Sequence, residues 1–177
     1  LRDEIAAGWT LSPYEFCTLE EFNSLKYNDE YYFLITADGK FKKENEPGLT
    51  FLTLIKGGKG ASEGINKMLE VVSLPIASAE NPSGREFVFM PAFIDIIQDY
   101  TIAAMNNDIN GYAGLISSTE DLKGTQNMEF VFAECDLAAD VDRPFRDLNF
   151  DSDMLLSDED EVDSIMEKGT SNKIVSL

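Results

Sequence analysis

LTFLTLIKGGKGASEGINKMLEVV, residues Leu49 to Val72, reads as a buried strand, a glycine–lysine loop and a short helix in direct succession. Leu49–Ile55 has the apolar, β-forming composition of a covered strand. The loop Lys56-Gly57-Gly58-Lys59-Gly60-Ala61-Ser62 can turn successive backbone N–H groups toward one point, and a helix starting behind it would add the positive end of its dipole. Ile65, Met68, Leu69 and Val72 provide the apolar stripe of that helix. Lys56, Gly57, Gly58, Lys59, Gly60 and Ser62 therefore form a candidate anion site. The loop is not a Walker A motif, because no GK[ST] closes it and its glycines are wrongly spaced. A plain strand-to-helix connection accounts for the same letters.

Upstream, Ser12-Pro13-Tyr14-Glu15 and Thr18-Leu19-Glu20-Glu21 both carry capping signals, and Phe16, Leu19, Phe22 and Leu25 follow helical spacing. One broken helix from Pro13 to about Lys26 is predicted. Tyr31–Ala37 is a dense β-forming run, and Asp38-Gly39 after it is a hairpin-turn signal leading to a lysine-rich edge strand, Lys40–Glu44. Downstream, strands are expected over Val72–Ser78 and Arg85–Met90, with Asn81-Pro82-Ser83-Gly84 as the turn between them. Pro91 then opens a helix over Ala92–Met105, with Phe93, Ile97 and Tyr100 in the core and Asp95, Gln98 and Asp99 marking its polar side. Met128–Ala133 is the last clear strand.

Composition removes several function classes. With 33 acidic and 14 basic residues the formal charge is −19, so most of the surface repels nucleic acid phosphates and anionic lipid. There is no histidine, which removes the commonest general base, the commonest zinc ligand and every Ser-His or Cys-His pairing. Cys17 and Cys135 have no metal-ligand or redox spacing and are expected as buried thiols, with a single disulfide between them as the other reading. The longest apolar runs fall far short of a membrane span.

Two stretches place oxygen-bearing side chains at alternate positions, as calcium loops do. In Asn106–Ser117 the first ligand is Asn106 and Ser117 stands where the bidentate glutamate belongs; in Asp147–Asp158 a serine, Ser152, takes the place of the invariant glycine. An ordinary turn and a solvated acidic run explain them better. Asp95 and Asp99, one helical turn apart, could share a proton only if buried together. No nucleophile is paired with a base.

The segment Asp147–Glu167 mixes carboxylates with apolar residues and contains no lysine or arginine after Asp147 until Lys168. Ser157 can cap a helix whose first turn is Asp158-Glu159-Asp160-Glu161, with Val162 and Ile165 on its apolar stripe and Gly169 as its stop. Together with Leu155 and Leu156 these residues suit docking on a basic, grooved protein, although folding back on the chain's own domain fits equally.

The sequence thus leads to an α+β chain. Residues 1–136 are expected to form one domain, with a mostly antiparallel sheet of about five strands crossed by the 92–105 helix. Residues 137–177 form an acidic segment docked on that domain or on a partner. The expected function is a non-enzymatic structural or interaction protein, a subunit of a larger assembly with a basic protein partner and no direct contact to nucleic acid. The alternatives are an acidic mimic of nucleic acid in a basic groove and a small-anion binder or enzyme using the Lys56–Ser62 loop. No cofactor and no metal is expected.

Overall fold

The computed structural model describes residues 1–40, 43, 45–106, 127–137 and 154–175. The chain is α+β and falls into two compact units, Leu1–Ile116 and Ser117–Leu177.

In the first unit, helix α1 (Arg2–Gly8) and helix α2 (Leu19–Leu25) precede three strands, β1 (Tyr32–Gly39), β2 (Leu49–Lys56) and β3 (Leu69–Ser78). Helix α3 (Glu86–Asn106) follows. The strands form an antiparallel sheet in the order β1-β2-β3. Strand β2 is therefore central, and Leu52, Thr53, Leu54 and Ile55 are buried in succession. Because strand side chains alternate, consecutive burial means that both faces of β2 are covered. On one face Ile55 packs with Phe33, Ala61, Met68 and Phe22 of α2, the Phe22 and Phe33 rings meeting edge to face at 4.9 Å. The other face carries Leu52 and Leu54, and Thr36 and Thr50 on that side line a small cavity with Phe87 and Met90 of α3.

Several sequence expectations are corrected here. Asp38-Gly39 is not a hairpin turn: β1 runs through both residues, with Asp38 opposite Thr50 and Gly39 opposite Leu49. The Thr50 hydroxyl donates to Asp38 Oδ1 at 2.8 Å, and a Cβ on Gly39 would sit 2.6 Å from the Phe51 ring, so both residues answer to cross-strand neighbours. Of the expected return strand Lys40–Glu44, Phe41, Lys42 and Glu44 lie outside the described residues, and β1 pairs directly with β2. Only Leu19–Leu25 of the expected Pro13–Lys26 helix is helical; Thr18 and Glu21 form a full capping box there, and Tyr14 and Phe16 are exposed in chain without regular secondary structure. The amide and hydroxyl of Thr18 hold the Glu21 carboxyl below its ordinary pKa.

Arg85–Met90 is not a strand. Residues from Glu86 onward join α3, and Pro91 lies inside that helix. The apolar stripe explains the choice: Phe89, Met90, Phe93, Ile94 and Ile97 are all buried on one continuous helical face, and that burial outweighs the hydrogen bond lost at Pro91. As one helix, Glu86–Asn106 is long and apolar enough by length and composition to cross a membrane, which the split reading had not allowed. Here it packs as a core helix against β3 and α1. Tyr100 is half-buried, while Gln98, expected on the polar side, is buried. The Gln98 carboxamide oxygen accepts from the amides of Thr10 (2.7 Å) and Leu11 (2.9 Å), and its nitrogen donates to the Gly8 carbonyl at 3.1 Å. It thereby ties α3 to the end of α1, an element the sequence reading had not anticipated.

The second unit contains β4 (Glu129–Ala133), β5 (Met154–Ser157), helix α4 (Glu159–Lys168) and β6 (Lys173–Val175). Both β5 and β6 pair with β4 in parallel, so β4 is central. In place of one five-stranded antiparallel sheet, the described chain has two sheets of three strands, the second parallel. Val131 and Ala133, on one face of β4, are fully buried, as is Val162 of α4, which packs against β4. Lys173 of β6 pairs with Glu129 of β4 at 3.2 Å.

Two substitutions in α3 test this account. Ile97→Ala should cost about 2–5 kcal/mol because the side chain is wholly enclosed. Gln98→Met, which keeps volume but strands the Gly8, Thr10 and Leu11 backbone groups, should cost about 1–3 kcal/mol. Urea unfolding of the full chain is the measurement. Losses near zero for both would place α3 outside the core.

Candidate functional site

The Lys56–Ser62 loop does form one wall of a pocket, by a different construction from the expected one. No long helix follows it. Two short 3-10 turns, Lys59–Ser62 and Ile65–Lys67, lead into β3, with Gly58 and Gly64 at positive φ (126° and 120°) separating the segments. Leu69 and Val72, expected on a helical stripe, are strand residues opposite Lys56 and Leu54. A helix dipole therefore plays no part.

The glycine amides are also engaged elsewhere. Gly57 N–H donates to the Tyr31 carbonyl and Gly58 N–H to the Lys26 carbonyl, both at 2.9 Å. These bonds fasten the loop to the chain joining α2 and β1. Gly57 is buried, and a Cβ there would overlap the Asn28 carbonyl oxygen; one on Gly60 would overlap the carbonyl of Lys67. Close backbone approach, not a ring of free amides, is what requires glycine at both positions. The Ser62 hydroxyl, expected to face an anion, donates to the Lys59 carbonyl at 3.1 Å.

What remains is a cavity of about 510 Å³ whose lining includes Lys56, Lys59 and Lys67, with Asp29 and Glu70 also on its wall. Lys67, Asp29 and Glu70 were not among the expected site residues. Lys67 reaches the pocket through the Gly60 approach, a tertiary contact without a sequence signature. Lys56 is half-buried, its ammonium 5.5 Å from the centroid of the Tyr32 ring, its cross-strand neighbour.

The acidic candidate lies in the second unit. Asp158, not Ser157, caps α4: its carboxylate accepts from the Glu161 amide at 2.9 Å. The Ser157 hydroxyl, buried, donates to the Glu161 carboxylate. Asp158, Glu159, Asp160 and Glu161 are all exposed, in the helix turn where negative charge is most favourable. Leu155 and Leu156 are half-buried in β5 and Ile165 half-buried in α4, whereas Val162 is wholly enclosed and serves the unit's own core. Gly169, left-handed with φ 61°, ends the helix as expected.

The remaining candidates are dispersed. Asp95 and Asp99 are both exposed. Cys17 and Cys135, expected to be buried, are both exposed and not joined by a disulfide. Of the calcium-like stretches, residues 107–117 and 147–153 lie outside the described residues; among the described residues no group of three or more Cys, Asp or Glu is placed to hold a metal ion.

The glycine argument makes a paired forecast. Gly57→Ala should destabilise the first unit by about 1–3 kcal/mol or more, since backbone has to move to admit the methyl group. Gly8→Ala, in a helix with its nearest neighbour an Ile94 methyl at 3.4 Å, should be neutral or stabilising by up to about 1 kcal/mol. Thermal melting of both variants decides; equal effects would remove the close-approach explanation.

No protein-family model, curated protein or solved structure matches this chain.

Proposed function

We propose that this chain is a non-enzymatic interaction protein, a subunit that meets a basic protein surface through the first turn of α4. One observation carries the reading: four successive exposed carboxylates, Asp158 to Glu161, are held on a capped helix end. A fixed cluster of charge orients a partner as well as attracting it, which a solvated tail does less well. Leu155, Leu156 and Ile165, each half-buried, supply the adjoining apolar area. In the first unit Ile96, Ile102 and Met105 of α3 are exposed at 42%, 45% and 63%, which also suits a chain that works in contact with others.

The test begins with affinity capture by the full chain, with mass and stoichiometry of the complex determined. Replacing Asp158, Glu159, Asp160 and Glu161 with Asn, Gln, Asn and Gln keeps a capping side chain at position 158. This variant should associate at least several-fold more slowly with the captured partner and show a flatter salt dependence. Leu155→Ala with Leu156→Ala should mainly speed dissociation. Unchanged association of the neutralised variant would refute the reading.

A further inference from the structure

We propose that the pocket lined by Lys56, Lys59 and Lys67 binds a small molecule carrying two or more phosphate groups. This goes beyond the interaction reading and involves the other unit of the chain.

Lysines are scarce here: 14 basic residues stand against 33 acidic ones. Carboxylates are thus abundant as partners, and Asp29 and Glu70 line the same cavity. Yet among the described residues none of Lys56, Lys59 and Lys67 forms an ion pair. Lys56 rests against the Tyr32 ring, a contact that leaves its N–H donors available. Three lysines thus line one cavity without forming an ion pair among the described residues.

The wall that carries them is preorganised. The Gly57 and Gly58 amides are bonded to the Tyr31 and Lys26 carbonyls, and Ala61 beneath the loop is 3% exposed. The close passage of Gly60 against the Lys67 carbonyl brings the segments bearing Lys59 and Lys67 together. A site fixed before the ligand arrives loses less freedom on binding.

Size and donor type narrow the ligand. The volume, about 510 Å³, lies in the range of small-molecule pockets. No arginine lines the pocket; its lysines act as compact point charges, which hold phosphate without a fixed fork geometry, and linked phosphates carry more negative charge in a given volume than carboxylates do. With Asp29 and Glu70 on the wall, a single phosphate gains little; several charges on one molecule can reach all three lysines. The net charge of −19 does not forbid this, because at physiological salt charges beyond about 8 Å are largely screened.

Calorimetric titration of the full chain with inorganic tripolyphosphate, in magnesium-free buffer at fixed ionic strength, tests the proposal. The unmodified protein should bind it saturably, and citrate at least tenfold more weakly. Lys59→Gln with Lys67→Gln, both exposed positions, should weaken tripolyphosphate binding at least tenfold without changing the melting temperature of the unliganded protein. Lys43→Gln with Lys168→Gln removes the same charge elsewhere and should change affinity less than twofold. Absence of saturable binding, equal loss in the two double variants, or citrate binding as tight as tripolyphosphate would each overturn it. None of these outcomes bears on the acidic turn of α4, so the two readings stand or fall separately.

Discussion

The first unit depends on keeping water from both faces of one strand. Strand β2 carries Leu52 at 0% exposure and Leu54 and Ile55 at 3% each, on opposite sides of the sheet. A three-stranded sheet cannot hide such a centre alone, so each face needs its own cover. Phe22 of α2 closes one side and the apolar stripe of α3 closes the other. The polar consequences follow from that arrangement. Thr53, buried on β2, has its hydroxyl matched to Ser73 on β3 at 2.7 Å, and Thr101 in α3 returns its hydroxyl to the Ile97 carbonyl. Gln98 closes the end of α1 within the same layer.

The same burial shapes the pocket. Ile55 and Met68 belong to the cluster under α2, and the chain between them has to leave β2, turn and return as β3 within a short distance. That return requires Gly57 and Gly60 to lie against other backbone, and it sets lysines at the rim because the loop's apolar positions, Ala61 and Met68, point inward. A core constraint thus produces a cationic recess in an anionic chain. The glycines that look like a phosphate cradle in sequence are needed for packing, and the lysines around them provide the charge.

Legibility in the sequence followed the range of the interactions involved. Strands β1 and β2, the Thr18 capping box and the Gly169 stop are set by near neighbours, and their letters show them. Where distant partners decide, local letters mislead. Phe87, Val88 and Phe89 favour a strand by propensity, yet Phe89 lies on the buried stripe with Phe93 and Ile97, and the run is helical with it. Asp38-Gly39 has the composition of a turn but serves Thr50 and Phe51 across the sheet. Strands β5 and β6, four and three residues long, are too short for a periodic signal, and their parallel pairing with β4 follows from contacts far apart in sequence. The acidic candidate was legible as a capped helix; that Val162 beneath it is enclosed was not, since one apolar position suits a core and a docking stripe alike.

Electrostatics gives the two candidate surfaces different characters. On α4 the carboxylates stand at the end of the helix that favours them, so the fold tolerates their crowding and part of their mutual repulsion is offset locally. Glu161 is restrained by the Ser157 hydroxyl below it, and the Glu159 carboxylate accepts a long contact from the Cys135 thiol at 3.8 Å. Such a cluster acts at a distance of one or two screening lengths and bears first on how fast a partner arrives. The lysine pocket has no comparable reach, because Asp29 and Glu70 stand within it and the chain around it is acidic. Under the proposal, selectivity would have to come from close contact, from an anion small enough to enter and charged enough to engage three lysines at once. On the proposed readings, long-range attraction and short-range recognition would be separated on one chain, the first on a helix turn of the parallel unit and the second on a glycine-locked loop of the antiparallel one.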